Sequence, residues 1–152
     1  MSTNAQGHED FRPSVDPENS IELIRTPRTD AGPEIHTVHL VDHDSDTLLS
    51  FFDALSNAGF QVSASSNTID ALSYIARIRP ELLVAEMDMA EMNGVELSQR
   101  VREISPTTRI LLTSATALRA AYQDILRQIE AGHLLKPLTA GQLVRAVERA
   151  FR

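Results

Sequence analysis

Five short apolar runs alternate along this chain with five amphipathic stretches, and no other feature of the sequence limits its fold so tightly. The runs are VHLV (38–41), FQVSA (60–64), LLVA (82–85), ILLT (110–113) and HLL (133–135). Several are almost continuously apolar, as expected of strands covered on both faces. Between them, apolar residues recur at helical spacing. Leu48, Leu49, Phe52 and Leu55 share a face, and Gly59 stands where that helix stops. Ile69, Leu72, Ile75 and Ala76 follow Ser66-Asn67-Thr68, which can cap a helix start. Val95, Leu97, Val101 and Ile104 precede Pro106, and Tyr122, Ile125, Leu126 and Ile129 precede Gly132. Leu143, Val144, Val147 and Phe151 carry the last stripe to the C-terminus. Strict strand–helix alternation with right-handed crossovers predicts an α/β fold.

The expected architecture is a five-stranded, parallel, doubly wound, flavodoxin-like sheet, (βα)5, with strand order 2-1-3-4-5. The first 35 residues lie outside this pattern. They hold four of the seven prolines and seven acids against three arginines. Such a segment buries too little apolar surface to offset its ordering entropy, so it reads as a disordered tail before a domain at 36–152. With no cysteine, a disulfide framework, a thiolate zinc site and a cysteine nucleophile are all excluded. No apolar run approaches the roughly 20 residues that cross a bilayer. The N-terminus lacks the basic start and apolar core of a signal peptide, so a cytoplasmic location is expected. A net charge of −7 argues against a nucleic-acid surface, which needs clustered Lys and Arg.

In doubly wound sheets, ligands bind beyond the carboxyl ends of the strands. Here those ends are Asp42-His43-Asp44, Glu86-Met87-Asp88, Thr113-Ser114 and Lys136-Pro137. Carboxylates, a hydroxyl and an ammonium at one sheet edge suit a hard divalent cation together with a phosphoryl group. Lys136 is the only lysine; the other thirteen basic residues are arginines. A compact ammonium and a fan-shaped guanidinium are not interchangeable in a tight site, so its place at a strand end points to function.

From about His36 to Arg152 the chain resembles the receiver domain of bacterial two-component response regulators. The resemblance rests on VHLVDHD, LLVAEMDMAEMNGVEL, ILLTSA and HLLKPL, with 28 residues from Glu86 to Ser114 and 22 more to Lys136. It implies phosphoryl transfer from a kinase histidine to the end of the third strand. It also implies magnesium held by acids after the first strand, a cis Lys136–Pro137 peptide, and a switch that reads the phosphoryl group. Met89, Met92 and Gly94 match the family's loop pattern and put Glu86 at the phosphoacceptor position, where an aspartate is usual. Ala90 replaces the expected proline.

In that register the implied metal set is Asp42, Asp44 and the backbone carbonyl of Asp88. His43 replaces the second acid, and imidazole is a poor ligand for a hard ion, so Mg2+ binding should be weak. Zinc is a further reading, with His36 and His39 nearby, although these spacings match no known zinc signature. Ser114 and Lys136 occupy the phosphate-reading positions. His133 stands where the family often has a rotating aromatic; a half-buried histidine with a satisfied hydrogen bond is the competing reading.

Glutamate carries its carboxylate more than about 1 Å further out than aspartate, and a misplacement of about that size can cost a hundredfold in rate. The expected function is therefore an atypical receiver in phosphorelay signalling, independent of phosphorylation and not an enzyme. The chain ends at Phe151-Arg152, so a stand-alone module is expected. The expected partners are a sensor histidine kinase or another signalling protein. A homodimer through the fourth helix, fifth strand and fifth helix is carried over from the family. The alternatives are a conventionally phosphorylated receiver or phosphate shuttle, and a small Mg-dependent phosphatase or phosphotransferase.

Overall fold

The computed structural model describes residues 11–13, 23–25 and 34–152. The chain divides into two compact units, Met1–Ile35 and His36–Arg152. In the first, β1 (Phe11–Pro13) and β2 (Leu23–Arg25) pair antiparallel, with Arg12 opposite Ile24. The sequence reading had no strands there; the rest of that tail lies outside the described residues.

The second unit alternates β3 (Thr37–Val41), α1 (Ser45–Asn57), β4 (Gln61–Ser65), α2 (Thr68–Ile78), β5 (Leu82–Glu86), α3 (Gly94–Ile104), β6 (Arg109–Ser114), α4 (Ala120–Gln128), β7 (Gly132–Leu135) and α5 (Ala140–Ala150). All four strand pairings are parallel, in the order β4-β3-β5-β6-β7. Counted within this unit, that is the expected order 2-1-3-4-5.

Strand residues point alternately to the two faces, and the core divides accordingly. Val38, Leu40, Leu82, Val84 and Leu111 pack under α1 and α5 against Leu55, Leu143 and Val147. Val41, Leu83, Ala85, Ile110 and Leu112 face α2, α3 and α4, meeting Ile75, Leu97, Val101 and Leu126. β5 is buried throughout, whereas β7 at the sheet edge is largely exposed.

Helix starts are specified locally. Asn67 caps α2 through Asp70 N–H, and Asn93 with Glu96 and Thr139 with Gln142 form capping boxes on α3 and α5. Gly59 takes a φ of 101° after α1. Gly132 does not stop α4, which ends at Gln128; Glu130 takes the left-handed conformation there, with φ 58°. Gly132 instead opens β7, where a Cβ would come within 2.9 Å of Leu111 Cδ1. The carbonyl at the end of α4, that of Ile129, accepts from the Arg102 guanidinium at 2.8 Å.

Candidate functional site

The sheet delivers three charged side chains to one point. Asp42 follows β3, Glu86 ends β5 and Lys136 follows β7. Backbone bonds carry the ladder one residue past the strands and fix these positions: Asp42 N–H to the Ser65 carbonyl, Met87 N–H to Thr113 and Lys136 N–H to Ser114. Gly94 brings the loop after β5 back onto the strand end, its N–H donating to the Met87 carbonyl at 2.9 Å. A Cβ there would lie 2.8 Å from the Glu86 carbonyl oxygen and 2.9 Å from Met87 Cα, so only glycine fits.

Lys136 reaches across β6 to both acids. Its Nζ lies 2.9 Å from Asp42 Oδ2 and 2.8 Å from Glu86 Oε1. Burial pulls the lysine pKa down, but hydrogen bonds to Glu86 and Asp42 and their charges outweigh it, holding the ammonium above its ordinary range. Burial pushes Glu86 up, and hydrogen bonds from Lys136 and His43 outweigh that in turn, leaving its carboxyl below the usual glutamate value. The two acids keep only 4% and 8% side-chain exposure.

The remaining oxygens face the other way. Glu86 Oε2 bonds His43 Nδ1, and Asp42 Oδ1 accepts from Asp44 N–H at 2.9 Å while lying 4.0 Å from His43 Nδ1. The His43 side chain is 62% exposed, and its hydrogen bond to Glu86, reinforced by that carboxylate's charge, raises its pKa. Asp42, His43 and Glu86 each bring one ligand atom to within 4.8 Å of the others.

Asp44 lies outside that group. It caps α1, its carboxylate accepting from Asp46 N–H and the Thr47 hydroxyl, both at 3.1 Å. Asp88 is exposed on the loop two residues past Glu86. The Ser114 hydroxyl is buried but turned aside. It donates to the Thr116 carbonyl at 2.6 Å, and because it has one proton, the His133 Nε2–H, also at 2.6 Å, donates to it. Burial lowers the His133 pKa. Ser114 thus supports Lys136 through its backbone carbonyl, while its hydroxyl belongs to a pair with His133.

The other two histidines of the zinc reading go elsewhere, and that reading is corrected. His39 is buried in β3, bonded to the Ser63 and Ser65 hydroxyls and stacked on Tyr74 at 4.3 Å. His36 stacks on Phe151 at 4.1 Å and pairs with Glu81 at 3.2 Å.

Residues 38–148 match the family model described as the response regulator receiver domain. The chain belongs to the receiver domain family. It is 30% identical over 126 residues to the transcriptional regulatory protein PrrA of Mycobacterium leprae, covering 81% of this chain and 53% of that protein. It therefore spans about half the length of that relative. The response regulator receiver protein CpdR of Brucella abortus is 30% identical over 110 residues, covering 72% of this chain and 92% of CpdR. A CheY-like receiver domain protein from Methanospirillum hungatei superposes with a TM-score of 0.72 at 18% identity, over 77% of this chain and 94% of that one. That likeness concerns the fold.

Receivers hold magnesium through acidic residues, and magnesium demands several oxygen ligands in near-octahedral array. This receiver offers a poor fit. The two buried acids already share an ammonium, the adjacent position is an imidazole, and the carboxylate of Asp44 is engaged in the α1 cap.

Two features escaped the sequence reading. Asp44 directly precedes an amphipathic helix, a position that signals an N-cap. The His43–Glu86 pair had a fainter signal: a basic substituent and a longer acid at the ends of adjacent strands.

Proposed function

We propose that this receiver signals by protein–protein contact without phosphorylation at Glu86. The observation that carries the reading is the occupancy of the Glu86 carboxylate: Oε1 is held by Lys136 and Oε2 by His43. A carboxylate nucleophile needs an available lone pair and an open line of attack, and one whose two oxygens are each already hydrogen-bonded to a side chain is a weak nucleophile. The ammonium that would meet a phosphoryl oxygen already meets the glutamate. The Glu86–Lys136 pair stands in for part of the charge arrangement that phosphorylation would create.

The receiver is then a binding module rather than an enzyme, with a sensor histidine kinase or another signalling protein as partner. The edge formed by α4, β7 and α5 is the face for a partner or a second copy. The net charge of −7 disfavours nucleic acid as a direct partner. A cytoplasmic location is part of this reading; among the described residues no helix is long and apolar enough to cross a membrane.

Labelling with radioactive acetyl phosphate and magnesium tests the reading. The native chain is expected to take up less than a tenth of the hydroxylamine-labile label of the double variant Glu86→Asp, His43→Asp, which restores the family's acids. Rapid, stoichiometric labelling of the native chain at Glu86 contradicts it.

A further inference from the structure

An open cavity of about 640 Å³ lies at the amino-terminal edge of β6 and β7, at the opposite end of those strands from Ser114 and Lys136. Its size falls within the roughly 300–1,000 Å³ usual for small-molecule sites. Three arginines line it from three elements: Arg102 of α3, Arg109 of β6 and Arg149 of α5. The chain carries 21 acids against 14 basic residues, yet the lining residues include a single acid, Glu130. Among the described residues, none of the three arginines forms an ion pair with a carboxylate.

Two of the three are held in place. Arg102 donates to the carbonyls of Pro106 at 2.7 Å, Thr108 at 2.9 Å and Ile129 at 2.8 Å. Those carbonyls take three of its five N–H groups and leave its charge unmet. The Arg109 guanidinium rests over the Phe151 ring, 5.4 Å from the centroid. Leu111, Leu134 and Ala146 add apolar wall. Gly132 leaves the space beside that wall free, since a Cβ there would come within 2.9 Å of Leu111 Cδ1.

We propose that this cavity binds a nucleotide-like ligand, a phosphate or diphosphate joined to a flat, largely apolar ring. A guanidinium fork meets phosphoryl oxygens two at a time, and a phosphate, unlike a single carboxylate, offers oxygens on several sides at once. Arginines without counter-ions, brought together from three elements, suit such a group. The apolar wall suits the ring. The cavity shares no residue with the Asp42–Glu86–Lys136 cluster, so this proposal does not depend on whether Glu86 accepts a phosphoryl group.

The full, isotopically labelled chain, kept in chelator, is titrated separately with ADP, pyrophosphate, adenosine and citrate. ADP is expected to give saturable shifts at the amides of Arg109, Gly132, His133 and Arg149 and none at Asp42 or Met87. It is expected to bind about fivefold or more tighter than each of the other three, which lack the ring, the phosphate or both. Arg149 is exposed, and Arg149→Gln is expected to weaken ADP about fivefold or more. Arg145→Gln, at an exposed position of α5 outside the cavity, is expected to change it less than twofold. Thermal melting checks that both variants fold. The proposal is overturned by an absence of saturable ADP shifts at the cavity residues, by pyrophosphate, adenosine or citrate matching ADP, or by equal losses from Arg149→Gln and Arg145→Gln.

Discussion

Lys136 holds the site together as a residue, because it is the group that keeps two buried carboxylates apart from each other's charge. Removing one member of a buried ion pair costs about 3 to 5 kcal/mol, but the Lys136 side chain keeps 18% of its exposure. Lys136→Met is therefore expected to cost about 2 kcal/mol in urea unfolding at pH 7, and Glu86→Gln in the same background to recover part of that loss. Additive losses from the two changes would contradict the coupling. His39 makes a second residue-scale prediction. Neutral imidazole suits two serine hydroxyls that can each donate or accept, and burial lowers its pKa to about 3. The unfolded chain takes up a proton at His39 below about pH 6.5 while the folded chain does not. Stability should be unaffected by His39 above pH 6.5 and fall between 6.5 and about 3, by at most about 1.4 kcal/mol per pH unit. His39→Gln, which keeps polar partners for Ser63 and Ser65, is expected to flatten this acid limb; an unchanged slope between pH 7 and 5 refutes the assignment. Asp42, Glu86 and Lys136 were legible in the sequence because a strand end announces itself where an apolar run stops. The direction of the Ser114 hydroxyl was not, since it depends on which of several acceptors lies nearest after folding.

The elements behave as their local signals dictate where those signals are strong. Asn67, Asn93 and Thr139 start three helices with side-chain caps, and most of the apolar stripe residues turn inward, but Leu49 of α1 and Ile69 and Ala76 of α2 are exposed. The end of α4 was misread because Gly132 looks like a stop; a glutamate took the left-handed position and Arg102 satisfied the carbonyl of Ile129. No window of sequence around α4 contains that arginine's reach. Gly94 is the most consequential junction, since it seats the start of α3 against the end of β5. Gly94→Ala would press a methyl group into backbone atoms rather than flexible side-chain ends. It is expected to cost about 2 kcal/mol by thermal or chemical unfolding, within the range for overpacking. Gly141→Ala, inside α5 with no contact closer than 3.4 Å, is expected to be neutral or to stabilise by about 0.5 kcal/mol. Equal effects at the two glycines would refute the crowding at Gly94.

For the whole molecule, the alternation of runs and stripes narrowed the sheet order to a few arrangements, because parallel strands with right-handed crossovers admit few, and the doubly wound order expected among them is the one observed. Among the described residues, both core clusters draw on residues from Val38 onward. A fragment of residues 36–152 is accordingly expected to unfold cooperatively, with coincident far-ultraviolet circular dichroism and fluorescence transitions; separate transitions would show that the first 35 residues contribute to the fold. The functional consequence of Glu86 was not legible at this scale, since it turns on two hydrogen bonds to one carboxylate. The account stands on that carboxylate being already held by Lys136 and His43. Beryllium trifluoride, which mimics a phosphoryl group on a receptive carboxylate, puts this to the most direct test. Added with magnesium to the isotopically labelled native chain, it is expected to leave the amide resonances of Met87, Ser114, Ala115 and Lys136 where they were; saturable shifts at those residues would contradict the account.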